Sequence, residues 1–546
     1  MAAKWLQDCS QNHRDCNASN DRNSWYPTRL LDLGHCNSEI SCVWLIHTAE
    51  TPPSGPYATL SHCWGSAKLI QLTTAMAKSH CPVYQIDDLP RTFREAVEAA
   101  KRLGIRYLWV DSLCIIQGET EHQDWYREAS LMDKVYFNSY CNLSAADASD
   151  STEGLFRFRQ PQFCGTVSFK AETSRVDLDT QPADYVLHED IFWKRHVLDA
   201  KLNSRGWVFQ ERLLAPRVLH YCHYQLLWEC RELGACETSP EGIPSRVSQG
   251  HDMKKLWQIK ASNAADFYLS FWYRQVLGHY TNMDLSVPSD KLIALSGIAK
   301  HIMPHNGDTY VAGMWRKSLG THLFWITLPD PRTSRPQVYR APTWSWASLD
   351  GRIGFRDCSE EECLVQVKDV SLQYATEDIT GAVTSGWLDL RGSLKPMKLC
   401  PKVHVYGAGE QFDCPPVNMA VVVDGALVRS NDMNGQETWR DFPWLHFDTP
   451  LVTETAFSDD SASGNLFFMP YQLQRDVPGK PKERDPVSCL MVRLVDEERK
   501  LFERIGFVEA SSHQGKDQLL VELDEETKAR LPCLRYENGL HTIRII

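Results

Sequence analysis

The sequence predicts an α/β fold with a parallel sheet in its N-terminal part, followed by a helical segment and a β-rich C-terminal domain. Three observations carry this prediction. Strand-like apolar segments alternate with amphipathic helices over residues 57–147, helical spacings of apolar residues cover 251–339, and short β-prone segments with turn residues between them fill 340–546. Alternating strands and helices are typical of parallel sheets, which bind ligands outside the carboxyl ends of their strands.

We divide the 546 residues accordingly. Residues 1–56 are an entry segment, 57–238 the first domain, 251–339 a mainly helical segment and 340–546 the β-rich domain. The first boundary is a loop at 239–250 that is rich in Pro, Gly and Ser. Within the last domain, strands are predicted at 364–370, 387–391, 419–423, 490–494, 506–508 and 519–523.

Composition restricts the class of protein. With 43% hydrophobic and 23% charged residues, the chain is expected to be globular throughout. A net charge of −12 argues against a general nucleic-acid or anionic-membrane surface, so we predict neither partner. No segment approaches the ~20 apolar residues of a membrane span, and the N-terminus has no signal-peptide core. We therefore expect a cytoplasmic protein with most of its 18 cysteines as thiols.

The first helix of the alternating region has local start and stop signals. Pro90 blocks earlier continuation, and Thr92 and Glu95 have the spacing of a capping box, which predicts Thr92 as the N-cap. Gly104 tolerates a left-handed turn and is predicted to end the helix.

Polar residues follow two predicted strands of the sheet. His62 comes after the strand at 57–60, and Asp111 and Ser112 come directly after the apolar strand at 105–110. Carboxyl ends of parallel strands meet at one rim, so we expect these side chains close together. Asp111 either binds a ribose there or caps the following turn.

The second helix carries a carboxylate on its apolar face. At ~100° per residue, Glu128 lies about 60° from Trp125, between the directions of Met132 and Val135. A carboxylate in this position loses solvation and must be paired, open to a cleft, or shifted in pKa. Asp133 lies off the apolar arc and is expected in solvent.

Two groups of residues offer metal ligands: Cys9, His13, Cys16, His35, Cys36 and Cys42 in the first, and Cys222, His223 and Cys230 in the second. Neither has the paired CxxC spacing of common zinc modules, and the second is interpreted more simply as a packed strand. We predict no metal. The chain also lacks a GxGxxG fingerprint after a strand, a GxxxxGK[ST] phosphate loop and a GxSxG elbow, so none of those enzyme classes is supported.

Three motifs resemble the HET domain, the heterokaryon-incompatibility family of filamentous fungi. They are YATLSHCWG at 57–65, LPRTFREAV with YLWVDSLCIIQ ending at 117, and SRGWVFQERLL at 204–214. VAGMWRKSL at 311–319 and APTWSWASLDG at 341–351 resemble segments that often follow that domain. The resemblance covers about residues 57–214.

The resemblance implies nonself recognition and programmed cell death, with a core distantly similar to TIR domains. Some TIR domains cleave NAD with a glutamate four residues after a tryptophan. Here the resemblance implies Trp125 and Glu128, which are three residues apart, with Glu128 as the catalytic residue. No cofactor is expected, and NAD is a candidate substrate. A carboxylate would stabilise the oxocarbenium-like state and orient a ribose hydroxyl.

The predicted substrate-binding residues are His62, Trp64, Asp111, Ser112, Trp125 and Arg205. Other roles stay open for these residues and for Glu128. Glu128 could instead form a buried salt bridge with an arginine, such as Arg205 or Arg212. A His62–Cys63 nucleophile pair is disfavoured because adjacent residues of a strand point to opposite faces.

Two non-glycohydrolase interpretations also stay open. The domain could be a non-enzymatic death or recognition module that acts by self-association or with another incompatibility protein. It could also be a tailoring enzyme of a secondary-metabolite pathway.

Overall fold

The computed structural model describes residues 1–17, 25–34, 41–65, 70–79, 82–118, 122–158, 168–170, 184–186, 189, 191–244, 252–256, 264–356, 358–401, 419–423, 426–427, 444–449, 465–473, 486–510 and 513–546. The chain divides into two compact units. The first contains Met1–Phe267 and Met283–His305, and the second contains Tyr268–Asn282 and Asn306–Ile546. The domain boundaries inferred from the sequence stay predictions, and the loop at 239–250 is described only as far as residue 244.

The strands of the first unit are β1 Arg29–Asp32, β2 Cys42–His47, β3 Tyr57–Ser61, β4 Val83–Gln85, β5 Tyr107–Trp109, β6 Cys141–Ser144, β7 Ser168–Lys170, β8 Asp184–Val186, β9 Arg217–Tyr221, β10 Leu226–Cys230 and β11 Gly234–Cys236. In the described part of the chain, nine of them form one sheet in the order β11-β10-β9-β6-β3-β5-β1-β2-β4. β7 and β8 form a separate antiparallel pair.

The central strands β9, β6, β3 and β5 are parallel, which confirms an α/β fold with a parallel core. The outer strands are antiparallel, so the sheet is mixed rather than wholly parallel. The reason is connectivity, because β9, β10 and β11 follow one another through short turns and only antiparallel neighbours can be joined that way.

The helices up to residue 306 are α1 Ala2–Asn12, α2 Thr74–Ala77, α3 Arg91–Arg102, α4 Asp111–Cys114, α5 His122–Phe137, α6 Gly206–Leu214, α7 Asp252–Leu256, α8 Ala264–Ser270, α9 Leu277–Tyr280 and α10 Ile293–Asn306. A π-helical turn, Phe271–Val276, links α8 and α9. In the described ranges, no helix is long and apolar enough to cross a membrane.

The capping box predicted for α3 is wrong. The helix begins one residue before Thr92, whose hydroxyl instead accepts the backbone N–H of Gly154 at 3.1 Å. Glu95 accepts the backbone N–H of Leu155 at 2.5 Å. Both side chains bind a loop that is distant in sequence, which local spacing could not reveal. Gly104 has φ +76°, which confirms the predicted left-handed turn.

The apolar face predicted for α5 is confirmed, since Met132 and Val135 are buried with Glu128 between them. Asp133, predicted in solvent, is buried. Its carboxylate lies 3.9 Å from His301 Nε2 on α10. A second helix therefore covers a side of α5 that the projection of a single helix assigns to solvent.

The later strands are β12 Tyr310–Val311, β13 Met314–Trp315, β14 Trp325–Thr327, β15 Ile353–Phe355, β16 Gln366–Tyr374, β17 Val383–Gly392, β18 Lys395–Pro396, β19 Lys398–Pro401, β20 Met419–Val423, β21 Ala426–Leu427, β22 Trp444–Phe447, β23 Leu466–Leu473, β24 Val487–Asp496, β25 Leu501–Ala510, β26 Arg535–Glu537 and β27 Leu540–Ile545. The later helices are α11 Leu319–His322, α12 His513–Leu520 and α13 Glu525–Arg530. The main sheet has the order β16-β17-β27-β25-β24-β23-β18, with β22 on β25 and β26 on β27.

The β-rich C-terminal region is confirmed, and five of its predicted strands overlap strands of the structure. The strand predicted at 519–523 is wrong, because α12 occupies its first part. Leu519 is fully buried in the core beside Met491 and Val508, so its apolar character serves a helix that packs on the sheet.

Candidate functional site

The candidate site lies at the carboxyl ends of β3 and β5. These strands are parallel neighbours, with Thr59 opposite Trp109. β3 ends at Ser61 and continues into His62 and the residues after it, while the chain after β5 turns within two residues into α4. Both exits are at the same edge of the sheet, as predicted for a rim built from parallel strands.

Asp111, the first residue of α4, is the centre of the cluster. One carboxylate oxygen accepts the indole N–H of Trp64 at 2.8 Å, and the other accepts the backbone N–H of Ser112 at 2.7 Å. The second oxygen also lies 3.7 Å from His62 Nδ1. The Asp111 side chain is 27% exposed, whereas that of His62 is 2% exposed. Asp111 is therefore a carboxylate that this edge presents to solvent.

His62 is held as a buried, neutral ring. Burial lowers its pKa, Asp111 opposes this shift and Arg205 adds to it. The ring packs edge-on against Phe93 at 4.9 Å between centroids. Its Nε2 has no hydrogen-bond partner among the described residues. The guanidinium of Arg205 donates to the carbonyl of His62 and so fixes the chain at the end of β3.

Glu211 on α6 is a site residue that the sequence analysis did not single out. Its carboxylate accepts the Ser61 hydroxyl at 2.5 Å and the Tyr136 hydroxyl at 2.8 Å. Burial raises the pKa of Glu211 to about 7, with a further upward contribution from Asp111, while Ser61, Arg205 and Tyr136 act in the opposite direction. Such a group exchanges its proton near neutral pH, which is what general acid–base chemistry requires.

The sequence contained a signal for Glu211, since it belongs to the motif SRGWVFQERLL. In the sequence, this motif is one of the three that resemble the HET domain, and only its arginines are considered there as partners of Glu128. Helix α6 is buried around most of its circumference, with Val208, Phe209, Leu213 and Leu214 all buried. A helix without a solvent face gives no periodicity against which a buried glutamate stands out.

Glu128 is buried at 3% exposure and accepts the Nε–H of Arg127 at 3.0 Å. Nearby, Arg29 and Asp124 form a second buried pair at 2.7 Å. The interpretation that Glu128 pairs with an arginine is confirmed, but its partner is Arg127 and not Arg205 or Arg212. Arg205 binds the His62 carbonyl, and Arg212 forms a two-bond pair with a different glutamate. The catalytic role of Glu128 stays a prediction.

Two further predicted residues take different positions. Ser112 is fully buried beside Asp111, and its hydroxyl has no hydrogen-bond partner within the described ranges. Its carbonyl accepts the backbone N–H of Leu72 at 2.8 Å. Trp125 packs edge-on against Trp207, with 6.2 Å between the ring centroids. The structure thus brings His62, Trp64, Asp111, Ser112 and Arg205 together and gives Trp125 a different set of ring contacts.

A serine, a histidine and a glutamate also form a hydrogen-bonded chain across the neighbouring strands β6, β9 and β10. His220 Nδ1 lies 3.2 Å from the Ser144 hydroxyl, and its Nε2 lies 3.1 Å from Glu229. Arg212 donates two hydrogen bonds of 2.8 Å to Glu229. All three members of the relay are at most 2% exposed. This burial assigns them to a structural network rather than to a nucleophilic site.

Thiol chemistry at Cys63 is not favoured. The side chain packs in a small buried cluster with Leu202 and Val208. Burial raises the pKa of the thiol, and the thiolate is the reactive form.

Comparison with known proteins identifies the region around this site. Residues 57–211 match the family model described as Heterokaryon incompatibility protein (HET). The chain matches no curated protein and no solved structure. The matched range begins with the first residue of β3 and contains His62, Asp111, Glu128 and Glu211. The predicted resemblance is confirmed, and the chain carries a HET domain over residues 57–211.

Proposed function

We propose that this HET domain serves nonself recognition and programmed cell death by hydrolysing the nicotinamide–ribose bond of NAD, in the manner of a distantly TIR-like glycohydrolase. One observation carries the proposal. Two carboxyl groups in contrasting environments, the open Asp111 and the buried Glu211, lie within electrostatic reach of each other at the carboxyl edge of the parallel strands. Glycoside hydrolases commonly use two carboxyl groups whose different surroundings give them different proton affinities, so that each takes a different role in the reaction.

The reaction consumes one water and yields nicotinamide, ADP-ribose and one proton. The nicotinamide ring of NAD carries a positive charge. It takes the electrons of the broken bond and leaves as a neutral molecule, so it needs no protonation. The Asp111 carboxylate stabilises the positive charge that develops on the ribose. Glu211, whose pKa is about 7, accepts the proton that the attacking water releases.

Sequence spacing supports Glu211 over Glu128 in this role. The resemblance implies a glutamate four residues after a tryptophan, and Glu211 stands four residues after Trp207. Glu128 stands three residues after Trp125 and is ion-paired with Arg127. The half-buried Trp64, which is hydrogen-bonded to Asp111, offers an aromatic edge for the nicotinamide or adenine ring.

The experiment is to measure nicotinamide release from NAD by the full chain, at high protein concentration so that assembly is favoured. Asp111→Asn and Glu211→Gln should each lower turnover by about 10²- to 10⁴-fold, the range for removal of an acid–base group. Asp147→Asn is the matched control. Asp147 follows β6 at the same edge of the sheet, and its side chain is 30% exposed, much like that of Asp111. It differs in pairing with Arg157 and His223.

Circular dichroism should show that all variants remain folded. Absence of turnover in the wild-type chain would refute the enzymatic proposal, and so would unchanged turnover in both Asp111→Asn and Glu211→Gln. Glu128→Gln is included because a folded Glu128→Gln chain without turnover, beside an active Glu211→Gln chain, would transfer the catalytic role to Glu128.

A specific surface feature favours a second candidate function, a recognition module that acts by self-association. β4 is one of the two edge strands of the nine-stranded sheet, and its Val83 is 42% exposed opposite Trp44 of β2, which is 38% exposed. Exposed apolar edge strands pair readily with other chains. If Val83→Glu abolishes a cell-death response that Glu211→Gln leaves intact, the module acts through assembly, with itself or with another incompatibility protein, and not through catalysis.

A further inference from the structure

Four side chains with metal-binding atoms converge near the N-terminus. They are Cys9, His13, Cys16 and Cys230, and their ligand atoms all lie within 4.8 Å of one another. The three cysteines are 0% exposed, and His13 is half-buried. This cluster lies outside residues 57–211 and is therefore no part of the matched HET domain.

Local structure explains how the first three ligands meet. Cys9 lies in the last turn of α1, and His13, the C-terminal cap of that helix, follows one helical turn later. Cys16 lies in the turn that comes next. Cys230 is the last residue of β10. Helix α1 packs on this strand through Trp5 and Trp228, whose ring centroids are 6.3 Å apart, so the fold brings both sequence regions together.

The distances suit a tetrahedral ion after a small contraction. Zinc with ~2.3 Å bonds to sulfur and ~2.1 Å bonds to imidazole holds its ligand atoms about 3.5–3.8 Å apart. His13 Nδ1 and Cys230 Sγ are 3.3 Å apart and need to separate by only ~0.3 Å. The widest separation, at most 4.8 Å, closes with a shift of about 1 Å.

Donors surround the sulfur atoms as they surround metal-bound thiolates. The backbone N–H of Leu233 donates to Cys230 Sγ at 3.2 Å, and Nε–H of Arg217 donates to Cys9 Sγ at 3.1 Å. Arg217 is 2% exposed, and its other hydrogen bonds go to the Tyr140 carbonyl and the Asn17 amide oxygen. Zinc with three thiolates and one imidazole carries a net charge of −1, which a buried guanidinium complements.

The loop that carries His13 and Cys16 is fastened to the turn after Cys230. The backbone N–H of Asp15 donates to Glu232 at 2.7 Å, and Arg231 donates to the Asp15 carbonyl at 3.1 Å. These contacts hold both ligand-bearing segments in place without using the ligand atoms.

The other sequence candidates do not join this cluster. Cys42 is in β2, six strand positions from β10 and therefore about 29 Å away at ~4.8 Å per strand. Cys222 donates to the His196 carbonyl, and His223 pairs with Asp147. His35 and Cys36 lie outside the described residues. No metal is predicted from the sequence because neither group has paired CxxC spacing, and Cys230 stands far from Cys9, His13 and Cys16 in the chain.

We propose that Cys9, His13, Cys16 and Cys230 bind one zinc ion that fastens α1 and the following loop to β10. Three sulfurs and one imidazole nitrogen are a recognised zinc-ligand set, and four protein ligands leave no coordination position for water or substrate. The site is therefore structural. It stabilises the N-terminal segment against the sheet and takes no part in catalysis.

The test is to measure zinc by elemental mass spectrometry in the full chain, purified under reducing conditions and dialysed against a weak chelator. One zinc per chain is expected. Cys16→Ser should lose it, whereas Cys236→Ser should keep it, because Cys236 is a buried cysteine of the neighbouring strand β11 outside the cluster. Arg217→Gln should weaken zinc binding by about 10- to 100-fold, the usual effect of an outer-shell change.

Cobalt(II) substitution tests the site by spectroscopy, first in the wild-type chain. Intense visible d–d bands together with sulfur-to-cobalt charge-transfer bands are expected, and His13→Cys should preserve them because a thiolate replaces the imidazole. A wild-type chain that takes up neither zinc nor cobalt would overturn the proposal. So would zinc retained by folded Cys16→Ser, or a metal-free chain in which mass spectrometry finds a disulfide among these cysteines.

Discussion

Replacing Glu211 by glutamine should make the HET domain more stable at neutral pH while it removes activity. Burial raises the pKa of Glu211 from its usual value near 4.5 to about 7. Below pH 4.5 the side chain is neutral in both the folded and the unfolded chain. Between pH 4.5 and 7 only the unfolded chain ionises, so the folded state loses stability as pH rises and the loss levels off above pH 7.

A shift of this size corresponds to about 3 kcal/mol at 1.36 kcal/mol per pKa unit. Glutamine stays neutral at every pH, and its amide oxygen can accept the same hydroxyls of Ser61 and Tyr136. The free energy of opening of Glu211→Gln minus that of the wild type should therefore rise by about 2–3 kcal/mol between pH 5 and pH 8, because part of the full effect has already developed below pH 5. Other titrating groups are common to both chains and cancel in this difference.

Hydrogen exchange of peptides from α6, corrected for intrinsic exchange rates, measures this quantity locally and does not require the whole chain to unfold in one step. A difference that changes by less than about 1 kcal/mol over this pH range would refute the raised proton affinity of Glu211. Glu229→Gln is the control. It removes the counter-charge of the buried end of Arg212, so it should destabilise the chain at every pH from 5 to 8.

Two further predictions concern backbone strain and a buried ion pair. Gly65 has φ +61°, and a Cβ there would clash with the Asp150 Cβ, so Gly65→Ala should lower stability by more than the ~1–2 kcal/mol of left-handed strain. A Cβ at Gly104 would have no neighbour within 4 Å, so Gly104→Ala should lower the free energy of unfolding only by that strain. Urea unfolding of both variants measures the difference. In the second unit, Arg504→Met leaves Asp448 as an unpaired buried charge and should destabilise by about 3–5 kcal/mol. The double variant with Asp448→Leu should recover most of this loss in the same assay, and no recovery would contradict the ion-pair explanation.

The rim could be predicted from the sequence because its determinants are local. A short apolar strand that ends in Asp111, and another that ends before His62, specify where two chains leave a parallel sheet. The antiparallel outer strands could not be predicted in the same way. Their placement depends on which neighbours remain unpaired once the central strands have assembled, and this is a property of the whole sheet.

Residues contributed from distant segments were the main difficulty. Glu128 was identified because α5 has distinct apolar and polar faces, so a carboxylate on the wrong face is visible. Glu211 lies on a helix buried on most sides, and Cys230 meets Cys9 and Cys16 only because α1 packs on β10. Periodicity describes one element at a time. It cannot show which side chain from another element completes a site.

A buried polar layer extends from the proposed active site at the rim into the structural network of Ser144, His220 and Glu229. Ser61, Ser144 and His220 lie side by side in register across β3, β6 and β9. Glu211 bonds to the first and Glu229 to the last. Replacing both partners of such buried hydrogen bonds with apolar side chains of the same shape is often neutral or stabilising, so stability alone does not require this layer. The proposed glycohydrolase does require polar groups that are fixed before charge develops, and this layer holds Glu211 in one position within electrostatic reach of Asp111.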